Sequence, residues 1–178
     1  MKKQFTLAMV LITSLVANVS HAQIVAVQQA NYTHKPIVEM TINNKKTWVL
    51  LDTGSDITIL DIKSKKEFGF NTFEKDGYMV PGFGSENNRL RRATNVNLMF
   101  GDVRLRSAMF AFDLTTIAES IENRTGKRIT AIIGTNLMRT YGFVIDMGNN
   151  SVVMYCKIKN SEVNKPYLLS LETQNEFN

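Results

Sequence analysis

The sequence predicts a mainly β protein of one domain, folded as a compact barrel or sandwich with one or two short helices. Short runs rich in β-branched and aromatic residues recur between turn residues, which is typical of a protein built from strands. Helical periodicity is scarce. The length of 178 residues suits one domain, and a content of 44% hydrophobic and 21% charged residues is ordinary for a globular chain.

The N-terminal region has the three-part pattern of a secretory signal peptide. Two lysines precede a largely apolar stretch over residues 5–19, and small residues stand at Ala22 and two positions before it. A transmembrane anchor is the alternative, but the stretch falls short of the ~20 residues that span a bilayer. We therefore expect a signal peptide over 1–22, a periplasmic or secreted domain over 23–158 without stable membrane insertion, and a polar C-terminal extension over 159–178.

The first half of the remaining chain predicts four strands. Residues 24–27 are apolar and β-branched, and Ile37–Ile42 alternates between apolar and polar positions over most of its length. After a polar turn, residues 48–51 are continuously apolar, as in a strand that is buried on both faces. Residues 57–60 form another alternating strand, and we expect a loop over 61–76.

The second half predicts five further strands. Residues 96–100 and 103–112 flank a Gly-Asp turn, and Ile129–Ile133 is largely apolar. Residues 143–145 and 151–155 are joined by Asp-Met-Gly-Asn-Asn, which is a strong hairpin signal.

Two short helices complete the predicted fold. The better candidate covers residues 114–123, where Thr116 and Glu119 have the spacing of a capping box. A second short helix is expected near Thr135. The apolar positions that share one face of the first helix are Leu114, Ile117 and Ile121.

Composition and charge argue against several classes of function. The net charge is +5, with basic and acidic residues interspersed, and the tight cluster of Arg89, Arg91 and Arg92 is typical of a solvated loop face. Without a dense basic stripe we expect no nucleic-acid binding. One cysteine, Cys156, and two histidines are too few for an internal disulfide or a structural zinc site. We expect no metal or organic cofactor.

One short segment carries the candidate chemistry. The apolar strand over residues 48–51 runs directly into Asp52, Thr53 and Gly54, which predicts a carboxylate on a tight turn at the end of a buried strand. The alternative is a plain turn, in which Asp, Thr and Gly are all favoured. An Ile-Ile-Gly segment about 80 residues downstream favours the functional interpretation, because bulky apolar residues and a glycine suit tight packing beneath a catalytic turn.

At these residues the sequence resembles the retropepsin-like aspartic proteases. Residues 52–56 (Asp-Thr-Gly-Ser-Asp) match that family's active-site motif, and Ile132-Ile133-Gly134 matches its apolar-apolar-glycine motif before a short helix. Between them, residues 77–92 stand where the family has its flap, a glycine-rich hairpin over the substrate. The resemblance extends over about 35–155 and implies a retropepsin-like closed β-barrel of the bacterial, secreted branch.

The resemblance also implies roles for the site residues. Asp52 corresponds to the catalytic carboxylate, and Thr53 and Gly54 to residues that support it. Viral members often have an arginine after the second glycine, paired to the acid that aligns with Asp56, but here that position is Thr135. The residues expected to contact substrate are Ser55, Asp56, Gly82, Phe83 and Gly84.

The implied chemistry needs two carboxylates that share one proton, so that one activates water while the other donates a hydrogen bond to the scissile carbonyl. The chain has one Asp-Thr-Gly, and a hairpin turn explains the other Asp-x-Gly, at Asp146, better. We therefore expect a homodimeric aspartic endopeptidase in which the Asp52 carboxylates of two subunits face each other and act on peptide or protein substrates. The alternative is a non-catalytic peptide- or protein-binding module of the same fold in the periplasm.

Overall fold

The computed structural model describes residues 22–31, 35–82 and 85–157. Ile24–Cys156 forms one compact unit. A second unit comprises residues 1–23 and 157–178, most of which lie outside the described residues. The predicted signal peptide therefore lies outside the described residues except for Ala22, and the predicted C-terminal extension lies wholly outside them.

Strands dominate the described residues, which confirms the mainly β class. All nine predicted strands are present, one of them divided into two, and the region predicted as a flap adds two more. In chain order, the strands of the described residues are β1 (Ala22–Asn31), β2 (Ile37–Ile42), β3 (Lys45–Leu51), β4 (Thr58–Asp61), β5 (Asn71–Gly82), β6 (Ser85–Thr94), β7 (Leu98–Phe100), β8 (Val103–Leu105), β9 (Met109–Phe112), β10 (Ile129–Ile133), β11 (Phe143–Asp146) and β12 (Ser151–Lys157).

The strands form one hydrogen-bonded sheet in the order β11-β12-β1-β2-β3-β10-β4-β9-β6-β5, and β7 pairs with β2 and β8. Within the described strands this path does not return to its start, so the sheet is open at β11 and β5 rather than fully closed. The strand order brings β10 between β3 and β4, parallel to β3 and antiparallel to β4. A strand distant in sequence thus separates two strands that a short loop connects.

Two segments differ from the sequence prediction. The single strand predicted over 103–112 is divided into β8 and β9, because the backbone amide of Arg106 turns aside to donate to the Tyr141 hydroxyl at 2.6 Å. The prediction of a loop over residues 61–76 is wrong. This segment contains a 3-10 turn (Ile62–Ser64), a short helix α1 (Lys65–Phe68) and the start of β5, and Asp61 Oδ1 caps the turn by accepting from the Lys63 amide at 3.1 Å.

A long hairpin formed by β5 and β6 occupies the region predicted as a flap. Its antiparallel register runs from Asn71 opposite Thr94 to Gly82 opposite Ser85, with irregularities along the way. The hairpin itself is therefore confirmed. At its tip, residues 83–84 lie outside the described residues.

Two helices flank the sheet as well as α1. Helix α2 (Thr115–Thr125) begins with the Thr115 amide donating to Asp113 Oδ1 at 3.0 Å and ends at Gly126, whose φ is 68°. The predicted capping box is absent, because the helix begins at Thr115 and Thr116 already lies in its first turn. Helix α3 (Thr135–Thr140) confirms the short helix expected near Thr135. Among the described residues, none of the helices has the length and apolar character needed to cross a membrane.

The two faces of the sheet carry separate apolar cores. In β3 the side chains alternate between them, with Val49 and Leu51 in one and Trp48 and Leu50 in the other. The prediction that residues 48–51 are buried on both faces is confirmed. The first core includes Val38, Met40, Ile42, Val49, Leu51, Leu60, Phe100, Ala131 and Ile133. The second core consists of Ile37, Leu50, Ile59, Leu90, Leu114, Ala118, Ile121, Ile129 and Ile132, with Trp48, Ile57, Phe110, Phe112 and Ile117 packed against it.

Candidate active site

The loop that carries Asp52 joins β3 to β4 at the centre of the sheet. The Asp52 amide donates to the Ile133 carbonyl of β10 at 3.0 Å, so the ladder between β3 and β10 continues through the backbone of this residue. The Asp52 side chain is half-buried. A carboxylate is therefore held at the end of a strand whose backbone is fixed on both sides.

Local hydrogen bonds determine the shape of this loop. The Gly54 amide donates to Asp52 Oδ1 at 2.9 Å, and the Ser55 amide donates to the Asp52 carbonyl at 3.2 Å. The Ser55 hydroxyl donates to the Ile57 carbonyl at 2.9 Å. An aspartate that accepts from the amide two residues later is a common turn, which is why the Asp-Thr-Gly sequence folds this way. One carboxylate oxygen is thereby oriented, and the other has no protein partner among the described residues.

Gly134 packs against the end of the same loop with no space for a side chain. A Cβ atom at this position would lie 2.6 Å from the Ile57 carbonyl carbon and 2.7 Å from its amide nitrogen, well inside van der Waals contact. Ile132 and Ile133 are buried, one in each core. The structure thus brings the two sequence motifs together, and it explains the glycine by a close backbone approach.

The start of α3 is hydrogen-bonded to the Asp52 loop. The Thr135 amide donates to the Ser55 carbonyl at 2.7 Å, and the Asn136 amide donates to the Asp56 carbonyl at 3.1 Å. The Thr135 hydroxyl is 3.2 Å from the Ser55 carbonyl and 3.3 Å from Asp56 Oδ1. Thr135 therefore contacts Asp56 from the position at which viral members of the resembling family often have an arginine.

These contacts of Thr135 and Ile57 with the candidate site were not predicted from the sequence. The sequence showed that Thr135 departs from the viral pattern, but not that its hydroxyl bonds to the aspartate. Threonine at the beginning of a helix is a residue type that often bonds to neighbouring backbone, and this was the available signal.

The remaining predicted site residues lie around the loop or outside the described residues. Thr53, Gly54 and Asp56 are exposed. The Thr53 side chain has no hydrogen-bond partner within the described part of the chain. Gly82 is the last residue of β5, paired with Ser85 of β6. Phe83 and Gly84 lie outside the described residues, so contact of the hairpin tip with substrate stays a prediction.

The other Asp-x-Gly segment is used differently. Asp146 lies at the turn between β11 and β12, where the Asn149 side chain donates to Oδ2 at 2.7 Å and the Asn149 amide donates to Oδ1 at 3.0 Å. These bonds hold the pKa of Asp146 below its ordinary value. Both oxygens of this carboxylate are thus engaged in the turn. In the described residues no group of three or more His, Cys, Asp or Glu side chains is placed to hold a metal ion.

Comparison with solved structures finds proteins of similar fold at low identity. They include a retropepsin-like aspartic protease from Rickettsia conorii, at 14% identity and a TM-score of 0.46 over 76% of this chain and 93% of that one. The retroviral protease-like domain of Ddi1 from Leishmania major is 13% identical, with a TM-score of 0.46 over 72% of this chain and 98% of that one. The EIAV protease in complex with the inhibitor HBY-793 is 19% identical, with a TM-score of 0.43 over 66% and 97%.

A family model provides the stronger likeness. No curated protein matches the chain. The model of the aspartyl proteases, however, matches residues 38–137, which is more than half of the sequence and includes both the Asp52 loop and Ile132-Ile133-Gly134. The chain belongs to the aspartyl protease family.

Proposed function

We propose that the protein is an aspartic endopeptidase that hydrolyses peptide bonds with a water molecule activated by paired Asp52 carboxylates. The observation that carries the proposal is the state of the Asp52 side chain. Its Oδ1 accepts from the Gly54 amide at 2.9 Å, while Oδ2 has no protein partner among the described residues. A carboxylate with a fixed orientation and an available oxygen is suited to act on water.

The second carboxylate comes, in this proposal, from a second copy of the chain. The other Asp-x-Gly is occupied in a turn at Asp146, and each chain has one Asp-Thr-Gly. A two-fold dimer would bring two Asp52 side chains together, and close carboxylates share a proton because both cannot ionise easily. Thr53 is exposed beside Asp52, and its hydroxyl, which has no partner among the described residues, could bond across such an axis.

The residues that follow Asp52 support a role in holding the substrate backbone. Ser55 and Asp56 are fixed by bonds to Thr135 at the start of α3, and Asp56 is exposed. Asp56 would bind a peptide amide, and Ser55 would line the same side of the cleft. Gly82, Phe83 and Gly84, at the tip of the β5–β6 hairpin, would close over the peptide.

We also propose that the protein acts in the periplasm or outside the cell. The support is the charged, apolar and small-residue pattern that ends at Ala22. We expect the chain to be secreted, and we expect N-terminal sequencing of the mature protein to begin at Gln23. A mature protein that retains residues 1–22 in the cytoplasm would contradict this proposal.

The decisive experiment compares Asp52→Asn with a matched variant, Asp146→Asn, in a peptide-library digest. Both changes remove one carboxylate from an Asp-x-Gly segment. We expect Asp52→Asn to abolish cleavage and Asp146→Asn to retain it. Sedimentation of the wild type at the assay concentration should give a dimer, and an active monomer would contradict the paired mechanism.

The non-catalytic alternative makes a different prediction in the same assay. A peptide with a hydroxyl-bearing tetrahedral isostere at its central bond mimics the transition state of a protease. An endopeptidase should bind it much more tightly than the parent peptide. Equal binding of both peptides, with no cleavage by the wild type, would support a binding module instead.

A further inference from the structure

The face of the sheet to which Asp52 points can be identified from β3. Leu51 lies in the first core and Leu50 in the second. The bond from the Asp52 amide to Ile133 keeps the backbone extended one residue further. Because side chains alternate along a strand, Asp52 lies on the same face as Leu50, which is the face of the second core.

An apolar row crosses this face next to Asp52. Ile132 is opposite both Leu50 and Ile59, and Ile59 is opposite Phe110. The row therefore runs across four neighbouring strands, β3, β10, β4 and β9. It begins two residues before Asp52, about 7 Å along the strand. A peptide whose scissile bond lies at Asp52 would place the side chain adjoining that bond over this row.

The row is already covered within one chain. The exposed fractions of Leu50, Ile132 and Ile59 are 4%, 2% and 2%. They belong to the second core, which also contains two residues of α2, the residue just before α2 and one residue of the β5–β6 hairpin. These are Leu114, Ala118, Ile121 and Leu90. Helix α2 and the residue before it thus supply three of the buried side chains of the core on the Asp52 face.

Helix α2 is fastened at both of its ends. At the start, the Leu114 amide donates to Oδ1 of the buried Asp61 at 3.3 Å. Just beyond the end, Lys127 Nζ lies 3.4 Å from the centre of the Trp48 ring, an arrangement that attracts a cation to an aromatic face. These two contacts hold α2 in place near both of its ends.

We propose that α2 restricts the enzyme to peptides with a small side chain, such as glycine, alanine or serine, at the position that lies over the apolar row. This inference rests on the proposed function. A large side chain at that position would have to enter a space that is already packed, and overpacking of a filled apolar site is unfavourable. The substrate class is therefore peptides cleaved beside a small residue.

Ile117 is the residue of α2 through which this restriction can be tested. It packs against the second core but is only partly buried, so it lies at the edge of the filled space. Shortening it to alanine removes atoms from that edge and leaves the buried residues of the helix in place. Thr116, the preceding residue, is exposed and provides the matched control.

The experiment uses a series of peptides that differ only at the residue beside the cleaved bond, with glycine, alanine, leucine or phenylalanine there. The wild type should cleave the alanine peptide about 10-fold or more faster than the leucine peptide, a discrimination typical of a few methylene groups in an apolar pocket. Ile117→Ala should raise the relative rate for leucine about 10-fold, and Thr116→Ala should leave the ratio unchanged. Ile117→Val should shift the ratio in the same direction, and it serves if the alanine variant does not fold.

The outcomes separate this inference from the proposed function. A wild type that prefers leucine or phenylalanine, or an unchanged ratio in folded Ile117 variants, overturns the role of α2 and leaves the endopeptidase intact. A wild type that cleaves none of the peptides, and is as inactive as Asp52→Asn, overturns the proposed function and this inference with it.

Discussion

Replacing Gly134 with alanine tests the close packing beneath the Asp52 loop. The backbone of Gly134, with φ of −89° and ψ of 169°, is open to any residue, so the backbone itself carries no strain. The added Cβ would lie 2.6 Å from the Ile57 carbonyl carbon. Overpacking of this kind costs about 1–3 kcal/mol, while the loss of glycine flexibility in the unfolded chain returns about 0.4–1 kcal/mol.

The net loss of about 1–2 kcal/mol corresponds to a fall in Tm of about 2–8 °C for a domain of this size. Thermal unfolding followed by circular dichroism measures it directly. Gly148→Ala is the matched control, because its Cβ would be 3.6 Å from Asp146 Oδ1, which is an ordinary contact. A Tm for Gly134→Ala equal to that of Gly148→Ala would refute the packing argument.

Three further changes probe the site and its surroundings. In Gly54→Ala, the new Cβ would be 3.2 Å from Asp52 Oδ1. A displacement of the carboxylate by a few tenths of an ångström should lower kcat about 10-fold, with little change in Tm because Gly54 is exposed, and an unchanged kcat would argue against a role for this orientation. Thr135→Val removes the hydroxyl bond to Asp56 and should cost about 1 kcal/mol in urea unfolding, whereas Thr135→Ser should cost much less; equal losses would contradict it. Hydrogen bonds at the start of α2 lower the pKa of Asp113 below 3.8, so its contribution to stability is present above pH 3.8 and is lost as the pH falls through the lowered value. Asp113→Asn should therefore reduce the loss of Tm below pH 4, and an identical acid profile would exclude this contribution.

Short stretches of sequence were sufficient to predict the elements that neighbouring residues determine. The alternation of Ile37–Ile42 and the continuous apolar run before Asp52 both predicted strands, and the burial of β3 in two cores shows why the second has no polar positions. The turn at Asp146 was predicted because Asp, Gly and Asn favour turns, and Asn149 makes the bonds that fix it.

Elements that depend on distant residues could not be predicted in this way. Helix α1 is charged and only four residues long, and its last carbonyl, that of Phe68, accepts from the Asn43 side chain at 2.8 Å. The strand that ends near Arg106 is interrupted by a hydroxyl 35 residues away, that of Tyr141. In the site, the same limit applies to Thr135, whose partner Asp56 is 79 residues away. The packing of Ile132-Ile133-Gly134 beneath the Asp52 turn was predicted from residue type, but the hydroxyl bond of Thr135 was not.

The two Asp-x-Gly segments show that the surroundings, rather than the motif, decide what a carboxylate can do. At Asp146 both carboxylate oxygens accept from Asn149 on an exposed turn, so this carboxylate stabilises the turn. At Asp52 only Oδ1 has a partner within the described part of the chain, the Gly54 amide, and the loop is fixed by the central strands and by α3. Of these two carboxylates, Asp52 is therefore the one that keeps an oxygen without a partner among the described residues. The proposed mechanism requires two carboxylates, so under it a single chain would supply half of a site, and a mixture of wild type and variant tests this requirement. Heterodimers of the wild type and Asp52→Asn should be inactive, so that an excess of the variant suppresses activity beyond simple dilution; activity that follows dilution alone would mean that one Asp52 is sufficient.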